Sequence, residues 1–228
     1  MELHHGDCLE ILPTIADKSV HAVITDPPYG IDFQSNQRVK TKKLAKIAND
    51  KESFTAWLPD AYRVTREDGC LLCFCRWDVQ EEFRLAIVAA GYAVKSQVIW
   101  DKMWHGMGDL DGSYAPVHEI LWFATKGAFA FPGGRPISVI RVIRIAPAKI
   151  THPNEKPVNL LKKLVTQVTK VGDTVLDPFM GGGSTGVASG VLNRNFIGIE
   201  LDAGHYHRAE RRIRNREDSN FGTFGKFS

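Results

Sequence analysis

The sequence predicts a doubly wound α/β fold, and three features carry the prediction. Short apolar segments rich in β-branched residues alternate with longer helical patterns, a glycine-rich turn follows one of them directly, and a carboxylate closes the next. In chain order the strands are His21–Thr25, Cys70–Cys75, Ser96–Trp100, Glu119–Ala124, Thr174–Leu176 and Asn195–Ile199. Helices are expected over Ser53–Val64, Val79–Ala90, Pro157–Thr169, Ser184–Leu192 and Ala203–Asn215, several opened by a capping side chain or a proline.

Two basic stretches escape this alternation and read as irregular. One is the loop Gln34–Asn49, with Arg38, Lys40, Lys42, Lys43 and Lys46; the other is Ala128–Thr151, with Arg135, Arg141, Arg144 and Lys149. Each charge run, taken singly, fits a solvated face. The tail after Asp218 carries little pattern and is expected to be loosely ordered. With 228 residues and 43% hydrophobic content the chain can bury one substantial core, so a single domain over residues 1–218 is expected, with 219–228 as a tail.

A net charge of +3 permits a polyanionic partner without demanding one. No stretch approaches the roughly 20 apolar residues of a membrane span, and the chain enters Met1-Glu2-Leu3-His4-His5 without a signal segment, so a cytosolic location is expected. Cys70, Cys73 and Cys75 fall inside an apolar run and, with Cys8, read as core thiols; Cys70-x-x-Cys73 has no second ligand pair, so no metal and no disulfide are expected.

The segment Thr174-Val-Leu-Asp-Pro-Phe-Met-Gly-Gly-Gly-Ser-Thr-Gly186 runs from strand to helix, and Gly181, Gly183 and Gly186 fit the spacing of a nucleotide-binding turn. Glu200 ends the next strand, where a carboxylate can accept from both hydroxyls of a ribose. A nucleoside-containing cofactor is the natural ligand of such a pair. The competing explanation is that the glycines serve tight helix packing alone.

Thr25-Asp-Pro-Pro-Tyr-Gly30 follows another strand. The two prolines remove two N–H donors and stiffen the backbone, leaving carbonyls to accept alongside the Asp26 carboxylate, while Tyr29 offers a flat ring for stacking. That set suits a planar molecule bearing an NH₂ group. A plain turn with Tyr29 as a surface aromatic is the alternative.

Asp26-Pro-Pro-Tyr29 together with Asp177-Pro-Phe-Met-Gly-Gly-Gly-Ser-Thr185 resembles the amino-methyltransferases of DNA. Further pieces agree: Gly6-Asp7-Cys8, Trp100-Asp-Lys102, His118-Glu-Ile-Leu-Trp-Phe-Ala-Thr-Lys-Gly127 and His152-Pro-Asn-Glu-Lys-Pro157, so the likeness runs from Asp7 to about Asp202. Because the Asp26 motif precedes the glycine motif, the order resembles the permuted β group of that family. The resemblance implies a Rossmann-like, mostly parallel seven-stranded sheet with one reversed hairpin strand, and S-adenosyl-L-methionine as cofactor.

It further implies roles for single residues. Asp7 and the Cys8 backbone would read the cofactor adenine, with Asp7 also able to cap the following helix. Lys156 would approach the methionine carboxylate and Pro157 would open a helix, although a lone lysine is ordinarily solvated. Asp177, Pro178, Phe179 and the turn Gly181, Gly183, Ser184 and Thr185 would border the methionine and ribose, with Asp26 beside them; Glu200 would hold the ribose hydroxyls, with Leu201 next to it. Catalysis would fall to Asp26, Pro27, Pro28 and Tyr29. Asp26 and the Pro27 carbonyl would draw out the amine lone pair as it attacks the sulfonium methyl, with no metal or covalent intermediate. The target base would be flipped from the duplex and stacked on Tyr29.

DNA contact is expected from Arg38, Lys40, Lys42, Lys43, Lys46, Arg135, Arg141 and Arg144. Residues 128–151 lie where the family carries its target-recognition region and are short, which implies a short recognition site or weak preference. The Asp at position 26 favours adenine N6 over cytosine N4, where the family more often has Ser. A nicotinamide-dependent dehydrogenase and a non-catalytic DNA-binding module are the rival readings. Asp177-Pro178-Phe179 wedged before the glycines speaks against the first, and the intact motifs speak against the second. Homodimerisation is common in the family and stays open, as does a companion restriction enzyme.

Overall fold

The computed structural model describes residues 1–29, 53–104, 111–112, 114–145 and 155–216. The loop with Arg38, Lys40, Lys42, Lys43 and Lys46, the residue Lys149 and the tail after Asp218 therefore lie outside the described residues. The elements are β1 (Glu2–His5), α1 (Cys8–Ile11), β2 (Val20–Thr25), α2 (Leu58–Val64), β3 (Thr65–Cys75), α3 (Gln80–Ala89), β4 (Ala93–Asp101), β5 (His118–Thr125), β6 (Val139–Arg141), α4 (Val158–Val168), β7 (Thr174–Asp177), α5 (Ser184–Val191), β8 (Asn195–Glu200) and α6 (Ala203–Asn215).

Among the described residues all eight strands join one sheet in the order β1-β8-β7-β2-β3-β5-β4-β6. Every neighbouring pair is parallel except β3 with β5 and β5 with β4, so β5 alone runs backwards, as a hairpin partner of β4. The reversed hairpin strand is thus present, but the sheet has eight strands where seven were expected. The additional strand is β6, which pairs Val139–Arg141 with Ile99–Asp101 inside the stretch read as irregular. It is short and carries alternate exposed residues, too little apolar run to register as a strand. β1 escaped for a similar reason: its polar Glu-Leu-His-His sequence lies at the opposite edge and is held by backbone pairing with β8.

The centre of the sheet is what a covered parallel sheet requires. Ala22–Ile24 and Cys70–Cys75 are buried throughout, and the cysteines, Cys8 included, are buried free thiols. Chain direction sorts the helices. The β2-to-β3 and β3-to-β4 crossovers move one way across the sheet and β7-to-β8 moves the other, so right-handed connections put α2 and α3 on one face and α5 on the opposite face with α4 and α6. Between β7 and β2 these directions diverge, which opens a crevice at the carboxyl ends of the two strands.

α2 begins five residues later than its apolar pattern predicts. Tyr29 bridges Ser53 and the Phe54 amide donates to the Pro28 carbonyl at 3.2 Å, so residues 53–57 run beside the Asp26 loop before the helix starts ahead of Pro59. Among the described residues no helix is long and apolar enough to cross a membrane.

Candidate active site

The crevice between β7 and β2 widens into a cleft, bounded by β1 and β8 on one side and by the start of α4 on the other. Asp7, Cys8, Asp26, Lys156, Asp177, Pro178, Phe179, Gly181, Ser184, Thr185, Glu200 and Leu201 all line it. Pro27 and Pro28 line it as well. The fold therefore gathers most of the candidate residues, from five separate segments, in one place.

At one end, Glu200 closes β8. Its Oε2 accepts from the Gly181 amide at 2.9 Å and its Oε1 from the Asp202 amide at 2.9 Å, which fixes the carboxylate at the lip of the cleft. Asp7 caps α1 by accepting from the Leu9 amide at 2.9 Å while still facing the cleft. Burial pushes the neighbouring Cys8 thiol up to about 12, with the Asp7 charge adding to it, so Cys8 stays a neutral thiol. His205, in the first turn of α6, also lines this end; burial outweighs its acidic neighbours and lowers its pKa.

Along the floor, Asp177 is committed to the protein. Its Oδ1 accepts from the Thr25 hydroxyl at 2.7 Å and the Phe179 amide at 3.1 Å, and its Oδ2 from the Thr185 hydroxyl at 2.7 Å. Asp177 thus ties β2, β7 and α5 together under the glycine turn. The glycines divide between two tasks. Gly181 adopts φ +50° at the cleft wall, whereas Gly183 does not line the cleft. A Cβ on Gly183 would meet Ala209 Cβ at 3.0 Å, and one on Gly186 would meet Ile213 Cδ1 at 2.5 Å. Those two let α6 press against α5, so part of the glycine spacing is helix packing after all.

Arg212 of α6 holds the turn from behind. It donates to the Gly182 carbonyl at 2.7 Å and pairs with the fully buried Glu155 side chain at 2.9 Å. Sequence pattern gave no sign of it, because an arginine on a helix of many charged residues reads as solvated.

At the far end stand Asp26 and its neighbours. Asp26 Oδ2 lies 2.7 Å from Lys156 Nζ, and Oδ1 accepts a hydrogen bond from the Tyr29 hydroxyl. Lys156 also reaches Glu119 Oε2 at 3.0 Å and sits 5.0 Å from the centre of the Phe74 ring. The lysine is therefore buried and paired, not solvated. Burial raises the Asp26 carboxyl above the ordinary carboxylate range despite the opposing pull of Lys156. Tyr29 is 7% exposed and packs edge-on against Phe83, and burial beside Asp26 keeps its phenol protonated. It is no surface aromatic. Of the two proline carbonyls, Pro28 accepts from Phe54, and none of the described residues donates to Pro27. Phe54 and Phe179, edge to face at 5.9 Å, wall the cleft between its two ends.

The described basic residues of the second stretch scatter. Arg141 pairs with Asp101 at 3.3 Å at the same sheet edge as the cleft, and Arg144 follows it. Arg135 instead borders a separate groove floored by Phe123 and Phe131, beside the middle of β4.

A family model described as DNA methylase, of the N6/N4 group, matches residues 20–142 and 138–211. YubD of Escherichia coli (strain K12) is 33% identical over 208 residues, spanning 90% of this chain and 86% of that protein. Among solved structures, M1.HpyAVI in complex with SAM superposes with a TM-score of 0.73 at 24% identity, over 92% of this chain and 98% of the other. The cytosine-N4-specific PvuII DNA methyltransferase superposes with a TM-score of 0.71 at 15% identity, over 94% and 93% of the two chains.

Proposed function

The chain belongs to the N6/N4 DNA methylase family, and from that premise we propose that it transfers a methyl group from S-adenosyl-L-methionine to the N6 amine of adenine in DNA. One observation carries the reading. A buried aspartate in Asp-Pro-Pro-Tyr, held by Lys156 at 2.7 Å, shares a cleft with a glycine turn and a strand-end carboxylate fixed at 2.9 Å.

The cleft fits this cofactor by its chemistry. Glu200 presents acceptors of the kind two ribose hydroxyls require; Asp7 and His205 offer polar atoms beside them for a purine; Phe54 and Phe179 give the middle an apolar wall. We assign the nucleoside to that end and the methionine to the side of Lys156 and Asp26. When bound, S-adenosyl-L-methionine supplies an electrophilic methyl group on a sulfonium.

The remaining work falls to the chain's own groups. The lone pair of an aryl amine is delocalised into its ring. Asp26 and the Pro27 carbonyl accept from the two amine hydrogens and so favour the tetrahedral, positively charged nitrogen. The nitrogen gains a methyl and must then lose one proton. We assign that proton to Asp26, whose buried carboxyl is more basic than an exposed one. Tyr29 holds the other side of that carboxylate. The target base must leave the duplex to reach this depth. Stacking on Tyr29 would require its ring to leave the packed position against Phe83, so a clamp on Asp26 is the role we assign to it here.

The test is digestion of methylated DNA to nucleosides and identification by mass spectrometry. N6-methyladenine is the expected product. N4-methylcytosine would move the assignment to the chemistry of the PvuII neighbour, and turnover on neither base would overturn the function. In the same assay Asp26→Ala should lose at least about 10³-fold in turnover, with cofactor affinity changed by no more than about threefold. Retained turnover would remove Asp26 from the mechanism.

A further inference from the structure

Glu119 belongs to none of the motifs to which the fold or the cofactor assigns a task, yet it lies in the catalytic cluster. β5 is the one reversed strand among the described residues, so its first residues arrive at the sheet edge where the parallel strands end. The register makes this concrete. Ile120 pairs with Cys75 at the end of β3, Glu119 pairs with Trp100 near the end of β4, and β2 beside β3 ends one residue before Asp26. A parallel strand in this position would have carried its first residues to the opposite edge.

Lys156 Nζ is shared between Asp26 at 2.7 Å and Glu119 at 3.0 Å, and Lys102 Nζ stands 3.5 Å from the other oxygen of Glu119. The Lys156 side chain is 10% exposed and that of Asp26 13% exposed, so water does little to screen either charge. We propose that Glu119 is a positioning residue for methyl transfer: it holds the Lys156 ammonium between two carboxylates, so that Asp26 keeps the basicity the target amine requires. The proposal rests on the methyltransferase reading above.

An ammonium bound to Asp26 alone would fix that carboxylate as a tight ion pair and weaken it as acceptor and as base. A second carboxylate draws part of the charge away and anchors a long side chain that could otherwise swing into the cleft. Lys102 compensates the added negative charge from the end of β4. The cluster is then balanced, with Asp26 and Glu119 against Lys156 and Lys102. The other titratable groups on Asp26 are the Tyr29 hydroxyl, the Cys73 and Cys75 thiols of β3 and, further off, Asp177 of β7. The tyrosine and both thiols are held neutral by burial and add no charge, whereas Asp177, lifted to about 6, adds a more distant negative charge above that pH. Burial pushes the Glu119 carboxyl up, but Lys156 and Lys102 outweigh it and hold the group below its ordinary value.

The experiment uses Glu119→Gln, which keeps the shape and one acceptor, in the 228-residue chain. Its turnover number on unmethylated duplex DNA should fall by about 10- to 100-fold, while KM for DNA and Kd for the cofactor stay within about threefold. The acid limb of the turnover profile should move to lower pH, because Asp26 becomes less basic. In the protein without cofactor, the Asp26 carboxyl resonance, assigned by its loss in Asp26→Asn, should titrate at lower pH in Glu119→Gln than in wild type. Glu119→Asp should recover part of the rate. Wild-type turnover with an unaltered Glu119→Gln enzyme would overturn the inference and leave the function standing, whereas a silent wild type would overturn the function. A rise in cofactor Kd with unchanged turnover would also overturn it, placing Glu119 in cofactor binding. If Glu119→Gln fails to fold, shown by loss of its melting transition, the titration and rate are read from Glu119→Asp, where an unshifted acid limb at full rate counts against the inference.

Discussion

Asp177 shows how one side chain can brace a site from within the protein. It accepts from Thr25, Phe179 and Thr185, and burial outweighs these bonds, lifting its carboxyl from 3.8 to about 6. The raised value means that folding favours the protonated form. Its contribution to stability is complete below about pH 4 and is lost as pH rises through about 6. Asp177→Asn cannot ionise and can still satisfy Thr25 and Phe179. Between pH 4 and pH 7 the variant should therefore gain on wild type by up to about 3 kcal/mol. Urea unfolding at several pH values measures this, and parallel stability curves would show that Asp177 titrates normally. Asp26 is raised by the same physics, and its acid limb is expected above that of an ordinary carboxylate. Below that limb Asp26 is protonated, can no longer accept the amine proton, and turnover should fall.

At the scale of elements, the glycine turn is positioned by α6 as much as by its own sequence. α6 packs on Gly183 and Gly186, and Arg212 reaches through to the Gly182 carbonyl and on to Glu155, one residue before Lys156. The helix thus ties the glycine turn to the segment that delivers Lys156. Arg212→Ala would take the guanidinium from a carboxylate that is fully buried, and breaking such pairs costs about 3–5 kcal/mol. Denaturant unfolding should show a loss of that order. Calorimetry should also show weaker cofactor binding, since the turn loses its rear support. Cofactor affinity equal to wild type would mean that α6 supports the fold alone. β5 makes the complementary point. Its reversal costs the sheet its uniform direction and brings Glu119 to the edge where Asp26 lies.

For the whole molecule, the divergence of chain direction between β7 and β2 makes the cleft, and β1 pairing with β8 brings both ends of the described chain to one side of it. Opposite stands the wider edge formed by β3, β5, β4 and β6, where Arg141 ends β6 and Arg144 follows it. A net charge of only +3 makes non-specific attraction weak overall, so phosphate contact must be local. If the Arg38–Lys46 loop supplies it, replacing Lys40, Lys42 and Lys43 together by glutamine should reduce the slope of log K against log salt by about 2–3. Fluorescence titration of a DNA duplex at several salt concentrations reads this directly, and an unchanged slope would assign the phosphates to other residues.

How much of this was legible in sequence follows from the range of each interaction. The central strands, the turn after β7, the Asp26 loop and the acid at the end of β8 were readable because each is a local event. An apolar run, a pair of prolines or a strand-end carboxylate keeps its meaning without knowledge of its neighbours. β1 and β6 were not readable, since edge strands this short are held by backbone pairing and not by their own apolar pattern. The sequence by itself determined the α/β class, the order of the two motifs and most of the residues that line the cleft. Only the tertiary structure decided that Lys156 sits between Asp26 and Glu119, that Tyr29 is buried, that Arg212 braces the turn and that two of the glycines serve packing. Those are contacts between segments tens of residues apart, and a charged or aromatic side chain gains its role there from the low dielectric and the partner that folding supplies, neither of which is written in its own neighbourhood of the chain.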